Sequence, residues 1–290
     1  MGEGGKLSSQ VGAVKITRIQ EMQVPIAFDP GRSFIAQATP AALRAIPWLY
    51  PNFVNDRDEM LLSIHALLVE APGLRLVVDT CVGNDKPRGL TGRQPLATKF
   101  LEAFAETGWT RESVDAVICT HMHVDHVGWN TMLVDGQFVP TFPNARYLLG
   151  RTEFEHWSAE GDEEQQAILA DSVQPIMDAG LAEFVGLDHV VSPNVRLIPT
   201  TGHTPGHVSV MITSDGESAV ITGDMSHHPC QMAHPDWSPS FDSDKAAAAV
   251  TRARMFAEWA DASHLVIGTH YAAPTAGRIR RDGAAFRFET

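Results

Sequence analysis

The chain has 290 residues, 44% of them hydrophobic, enough to close a substantial core and to exclude a disordered or fibrous protein. Its 22 Lys and Arg against 35 Asp and Glu give a formal net charge of −13, which repels a polyanionic partner such as nucleic acid unless a basic stripe gathers somewhere. The nearest such cluster, Arg278, Arg280 and Arg281, reads as a solvated turn.

The three cysteines, Cys81, Cys119 and Cys230, are odd in number and widely spaced, which points to buried thiols in a reducing compartment. Met1 to Gln10 is a Gly/Ser-rich, frayed start without the apolar stretch of a signal peptide. No apolar run approaches the ~18 residues of a membrane span. A soluble, cytoplasmic protein without membrane contact is expected.

Val14 to Ile19 alternates apolar with polar and predicts an opening strand. Phe28 to Asp58 follows, carrying Pro30, Pro40, Pro47 and Pro51 among Phe28, Phe34, Trp48, Tyr50 and Phe53. A connection of ~30 residues inside a compact domain is either a lid or an irregular segment packed on the core or on a second copy in a homodimer. Met60–Val69 and Leu74–Val78 predict a hairpin turning at Ala71-Pro72-Gly73 and ending at Asp79. Gln94–Thr107 has helical spacing, and Val114–Cys119 is a short buried strand that delivers the chain to Thr120 and His121. Further on, Ala145–Leu149 predicts a strand, Glu163–Ala179 a helix weakened by Pro175, and Val195–Ile198 a strand running toward His203. Val208–Thr213 and Ala219–Thr222 flank the turn Ser214-Asp215-Gly216 as a second hairpin. Asp244–Ala262 is a helix capped by Asp242 or Ser243, and Leu265–Gly268 is a strand leading to His270. With no linker and no repeat, residues 1–290 are read as one domain.

The chemistry gathers in Thr120-His121-Met122-His123-Val124-Asp125-His126-Val127-Gly128, an HxHxDH cluster directly after a strand. Four potential ligands so close together crowd one small ion, whereas a loop aims two imidazoles one way and the Asp/His pair another, so the spacing suggests two adjacent divalent metals. Zinc accepts imidazole and carboxylate and keeps a position for water in catalytic sites. His/Asp ligands also suit iron, which leaves a metal-dependent oxidoreductase as a rival reading. Three strand-end residues complete the spheres: His203 and Asp224, each after a glycine, and His270. His207 is assigned to support beside the metals, while His65, His156, His189 and His264 have no ligand spacing.

These motifs resemble the metallo-β-lactamase superfamily from Met60 to His270. The resemblance implies an αββα sandwich with the metals at one edge. Carried over position by position, it implies that His121, His123 and His203 bind one ion, that Asp125, His126 and His270 bind the other, and that Asp224 bridges them. Class B β-lactamases lack the bridging aspartate, which counts against a β-lactam hydrolase as the main role. The flavin-associated diiron branch has Glu where His123 stands, and the RNA-processing branches carry an inserted domain. The full ligand set, the His203-Thr204-Pro205-Gly206-His207 run and the aromatic N-terminal segment resemble the branch of N-acyl homoserine lactonases and methyl parathion hydrolase. Those lactonases have tyrosine three residues past the bridging aspartate, where His227 stands here.

The expected function is therefore a dinuclear hydrolase, most simply with zinc, using a bridging hydroxide on a small, largely apolar ester, lactone or phosphotriester. His227 is the candidate donor to the developing oxyanion or leaving oxygen, and Asp125 a candidate proton acceptor as the intermediate collapses. Phe28, Trp48, Phe53, Trp129 and Trp157 are the candidate walls of an apolar substrate pocket. A binding protein that merely retains the site is the weakest reading, since all seven ligands are present.

Overall fold

The computed structural model describes residues 7–290. The chain opens with a hairpin of β1 (Leu7–Val11) and β2 (Val14–Ile26). The frayed start expected over residues 1–10 is thus a paired strand from Leu7 onward, with residues 1–6 outside the described residues. Strand β2 runs past Ile19 because its more polar second half pairs with the next strand as far as Ile26 opposite Met60. The expected hairpin follows as β3 (Met60–Ala71) and β4 (Leu74–Val78), and β5 (Ala116–Ile118) lies parallel beside β4. A small separate hairpin, β6 (Thr131–Val134) and β7 (Gln137–Pro140), precedes β8 (Arg146–Gly150) and β9 (Ala182–Val185). The first sheet has the order β1-β2-β3-β4-β5-β8-β9.

The second sheet keeps chain order: β10 (Val190–Ser192), β11 (Val195–Pro199), β12 (Val208–Ser214), β13 (Glu217–Ile221), β14 (Leu265–Ile267), β15 (Ala276–Asp282) and β16 (Ala285–Glu289). The arginine cluster read as a solvated turn is β15. There Ile279 alternates inward between Arg278 and Arg280, and Arg280 and Arg281 pair with Glu289 and Asp261.

The two-residue period of the strands explains the layering. Leu67, Val69, Leu76, Val78, Ala116 and Ile118 face Val208, Val210, Ile212, Ala219, Ile221 and Ile267 between the sheets. The alternate residues face outward and need covering. Leu68, Val77 and Val117 are met by helices α2 (Phe100–Ala105), α4 (Glu163–Ser172) and α5 (Gln174–Asp178), with α3 (Arg151–Glu160) on the same side, whereas α1 (Pro40–Arg44) packs Leu43 into the opposite layer. On the other side, Met211, Val220 and Val266 are met by Met255, Phe256 and Trp259 of α7 (Lys245–Ala262), which follows the single turn α6 (Cys230–Ala233). Each such large apolar side chain, fully buried, stabilises by about 1.5–3 kcal/mol. The expected αββα sandwich is what forms.

Three expected helices change at their ends. Gln94–Thr107 is helical only over α2, because Pro95 disfavours helix before it and the Asn84 carboxamide accepts the Thr98 N–H, holding Leu96 in a bridge with Asn84. Glu163–Ala179 breaks at Val173 (φ −120°), with Pro175 in the first turn of α5. The cap of α7 is Asp244, whose carboxylate accepts the Ala247 N–H, and neither Asp242 nor Ser243 serves. Residues 28–58 are mostly a packed segment: Ile35, Leu43, Ile46, Leu49, Phe53 and Val54 are buried in the α7-side core.

The topology places the working edge. Strands β5, β11, β13 and β14 all deliver their carboxyl ends to one rim. There the sheets are stitched by Val208 N–H donating to the Thr120 carbonyl (3.1 Å) and Ser63 N–H donating to the His270 carbonyl (3.0 Å).

Candidate metal centre

Each ligand loop leaves a strand end and is locked before its side chain is presented. After β13 the chain turns through Gly223 at φ 54°, where a Cβ would stand 2.5 Å from His207 Nε2; glycine is required both by the conformation and by this approach. The His207 ring then receives the Asp224 N–H on Nε2 at 2.7 Å, with Nδ1 facing the Thr200 carbonyl (3.0 Å). His207 is thereby a support for Asp224, as the sequence suggests. The loop after β5 and the loop after β11 are held together by Glu153 of α3. This fully buried carboxylate accepts N–H bonds from Met122 (3.2 Å) and Gly206 (2.9 Å) and from the Trp157 indole (2.6 Å).

The seven expected ligands are all brought together. His121 Nε2, His123 Nδ1 and His203 Nε2 lie 3.0–3.2 Å from one another. Asp125 stands 3.5 Å from His126 Nε2 and 3.6 Å from His270 Nε2. Asp224 lies between the two sets: its Oδ2 is 3.7 Å from His121 Nε2, 3.5 Å from His203 Nε2 and 3.3 Å from His126 Nε2, and its Oδ1 is 3.1 Å from His270 Nε2.

The outward ring atoms show why these nitrogens converge. His203 Nδ1–H donates to Asp242 Oδ1 (2.8 Å), His126 Nδ1–H to Asp79 Oδ2 (2.9 Å), and His270 Nδ1–H to the Ser63 carbonyl (3.0 Å). Thr120 Oγ1 gives its proton to Asp79 Oδ2 (2.9 Å) and so accepts from His121 Nδ1–H (3.2 Å). In the neutral rings every inner nitrogen of these four histidines is therefore a lone pair, and lone pairs at such separations repel unless a cation lies among them. The His126 Nε2 and Asp224 Oδ1 atoms are buried without a hydrogen-bond partner among the described residues. The residues present fit divalent ions: the two sets His121/His123/His203/Asp224 and Asp125/His126/His270 each gather their ligand atoms within 4.8 Å.

The electrostatics divide the rings into two groups. Burial holds His121 and His203 well below the ordinary imidazole range and His123 down at about 4, so these rings are neutral donors at pH 7. At His126 burial opposes charge, but Asp224, Asp79 and Asp125 outweigh it and carry the pKa well above its usual value; His270 is raised in the same way. Burial opposes ionisation of Asp224, yet the imidazoles of His126, His270, His227 and His121 hold it well below the carboxylate range.

A cavity of about 320 Å³ opens on this rim, lined by His123, Asp125, Asp224, His227 and His270 and walled by Val24, Ile26, Phe34, Leu62, Ile64 and Phe241. Among the described residues no lysine or arginine lines it. His227 is buried, stacks on His270 (5.6 Å, 1°), and meets Phe34 and Phe241 edge-on; its Nε2 is 3.0 Å from Asp224 Oδ2. None of the five expected wall residues lines the cavity. Phe28 and Trp48 lie elsewhere in the N-terminal segment, and Phe53 packs on Tyr271 and Phe288. Trp129 stacks on Phe100 and donates to Glu21, while Trp157 lies against the His123 ring with its indole turned to Glu153. Of the aromatic N-terminal segment only Phe34 reaches the cavity, and its partner Phe241 comes from a loop the sequence did not mark. The supporting Asp79, Asp242, Glu153 and Ser63 were also missed as supports; Asp79, at the end of a predicted hairpin, had a positional signal, and Asp242 was marked only as a helix cap.

An N-acyl homoserine lactonase of Bacillus sp is 28% identical over 155 residues, and one of Bacillus cereus matches over the same length at the same identity. Each match covers 53% of this chain and 55% of the relative, so the chain spans about half the length of the curated relatives it matches. Among solved structures, the hydrolase AbOPH of the beta-lactamase superfamily aligns over 100% of this chain and 98% of its own, with a TM-score of 0.81 and 23% identity. AidC, a dizinc quorum-quenching lactonase bound to its product N-hexanoyl-L-homoserine, aligns over 98% and 96%, with a TM-score of 0.77 and 21% identity. Both share the fold. The metallo-beta-lactamase superfamily profile matches residues 60–270, most of the chain and all seven converging side chains, and the chain belongs to that superfamily.

Proposed function

We propose that this protein is a dinuclear metal-dependent hydrolase of small, neutral, largely apolar esters, lactones or phosphotriesters. The reading rests on one observation: two histidine–carboxylate sets meet at Asp224, whose carboxylate lies within 3.7 Å of rings in both, and open into a largely apolar cavity whose wall among the described residues has no lysine or arginine. His121, His123 and His203 would hold one ion, Asp125, His126 and His270 the other, and Asp224 both. Zinc fits this donor set, and the lactonase relatives and the dizinc neighbour support the same chemistry. When bound, the ions supply Lewis acidity, making water a nucleophile near neutral pH and drawing electrons from a C=O or P=O group.

The protein's own groups do the rest. Phe34 and Phe241 exclude water and seat the apolar part of the substrate beside the rim. His227, whose backbone N–H is fixed by the Gln231 carboxamide (2.7 Å), whose Nε2 stands 3.0 Å from Asp224 Oδ2 and whose Nδ1 has no hydrogen-bond partner among the described residues, would donate to the developing oxyanion or leaving oxygen. Asp125, the more exposed of the two site carboxylates, is placed to take a proton as the leaving group departs. Protein loaded with zinc should carry close to two ions per chain by elemental analysis. It should turn over lactones, aryl esters or phosphotriesters faster than phosphodiesters or RNA; one ion per fully active chain, or faster cleavage of RNA, overturns the reading.

A further inference from the structure

Helix α7 carries a fully buried arginine on its inner face. Arg252 is not among the residues that line the cavity. A buried guanidinium with five donors needs acceptors, and those it has are unusually distributed. Its Nη1 donates to the Met225 carbonyl (3.0 Å), immediately after Asp224. Its Nε donates to the Pro235 carbonyl (2.9 Å) and its Nη2 to Ser238 Oγ (2.8 Å). The same Nη2 stands 3.7 Å from Oδ2 of Asp242, the carboxylate whose Oδ1 accepts the His203 ring proton.

These contacts touch the beginning, middle and end of one excursion, residues 224–242. That excursion begins with the candidate bridging aspartate, carries His227, and ends with Phe241 in the cavity wall and Asp242 behind His203. Its far end is joined to the ligand loop by Ser243 N–H donating to the His203 carbonyl (2.9 Å). Gln231 ties the excursion together from within, accepting the His227 N–H (2.7 Å) and donating to the Trp237 carbonyl (2.8 Å), whereas Arg252 holds it from another element, by hydrogen bonds at Met225, Pro235 and Ser238 and by the ion pair at Asp242.

We propose that Arg252 is a positioning residue that fixes Asp224 and His203 relative to each other, and with them the ion held by His121, His123 and His203. The inference rests on the metal-site reading above. A planar fork reaches several acceptors at fixed angles, which a lysine cannot reproduce. Loss of a group that orients a ligand from behind typically lowers metal affinity 10- to 100-fold.

The test uses the full-length protein as Arg252→Met, which keeps most of the volume, and Arg252→Lys, which keeps the charge. Met255→Ala, in the same helix but buried in the apolar core, serves as a destabilised control. Metal affinity is read by chelator competition, and ligand geometry by the visible spectrum of the cobalt(II)-loaded proteins. Arg252→Met should weaken the ion held by His121, His123 and His203 10- to 100-fold, weaken the other, which shares only Asp224 with it, by a distinctly smaller factor, and alter the cobalt spectrum. Arg252→Lys should fall between it and the wild type. Met255→Ala should lower the melting temperature with both affinities and the spectrum unchanged. If Arg252→Met loses stability but retains wild-type affinity for both ions and an unchanged spectrum, or weakens both ions equally, the positioning role is refuted. The wild-type stoichiometry, measured in parallel, tests the two-ion reading separately.

Discussion

Asp79 offers a sharp separation of folding from metal binding. It follows β4 in a left-handed conformation (φ 56°), is buried, and accepts three hydrogen bonds: from Thr120 N–H (2.8 Å), Thr120 Oγ1 (2.9 Å) and His126 Nδ1–H (2.9 Å). Asp79→Ala leaves three buried donors unmatched at about 1 kcal/mol or more each. It also places alanine where asparagine or aspartate is better tolerated. A loss of at least about 3 kcal/mol in the metal-free protein is expected. Asp79→Asn keeps the volume, tolerates the left-handed backbone and retains a carbonyl for the Thr120 N–H, so its stability should fall by only about 1–2 kcal/mol. Its neutral amide cannot replace a carboxylate behind His126, however, and affinity for one ion should drop 10- to 100-fold. Urea denaturation of the metal-free variants gives the first quantity and chelator competition the second. If Asp79→Asn binds both ions as tightly as the wild type, the carboxylate does not orient His126 for a metal, and the argument from outward ring protons fails.

His227→Ala should leave two ions bound while lowering kcat by ~10²- to 10⁴-fold, with a smaller loss on nitrophenyl esters than on poor leaving groups; equal retention of activity on both would remove His227 from the chemistry. His228 gives a pH prediction away from the ligands. Its Nε2–H donates to the Phe53 carbonyl (2.8 Å), its Nδ1 accepts from Cys230 N–H (3.1 Å), and burial holds its pKa down at about 4. The unfolded chain therefore takes up this proton first, near pH 6.5, and the folded state loses stability as pH falls from 6.5 toward 4. The contribution is about 3 kcal/mol over that window. His228→Gln in the metal-free protein should flatten the acid limb by about that amount, as urea denaturation at pH 7 and pH 4 would show; an unchanged difference between the two pH values would contradict it.

Most of the sheet framework was legible in the sequence because most of its strands are buried on both faces and written as short apolar runs, and β11 alternates inward Val195 and Leu197 with exposed Arg196. The β3–β4 hairpin, β5, β8, β11, the β12–β13 hairpin and β14 all lie within a few residues of their expected places. Strands that carry polar residues were not. In β15 a single inward Ile279 between arginines looks like a turn until β14 and β16 pair on either side of it. Helix α3 was missed for a related reason: its sequence is charged and only weakly amphipathic, and what it buries most completely is Glu153, a residue that sequence patterning assigns to the surface.

The same distinction separates the ligands from what holds them. His121, His123, Asp125 and His126 are close in sequence, so their spacing alone suggests a purpose, and each distant ligand follows its own apolar run. Their supports have no such address. His126 and Asp79 are 47 residues apart, His203 and Asp242 39, Glu153 and Gly206 53, and His270 and Ser63 207. Asp242 even stood in a sequence position suited to capping a helix, a role that Asp244, two residues further on, fills. The cavity wall follows the same rule: Phe34 and Phe241 touch only because the Phe34 carbonyl accepts the Ser240 N–H (3.0 Å) and Ile35 bridges Pro239, a pairing between two irregular segments that carries no periodic signal. Short-range spacing thus suggests what a site can bind, while the groups that orient ligands and select substrates are assembled by long-range contacts that exist only after the sheets have closed.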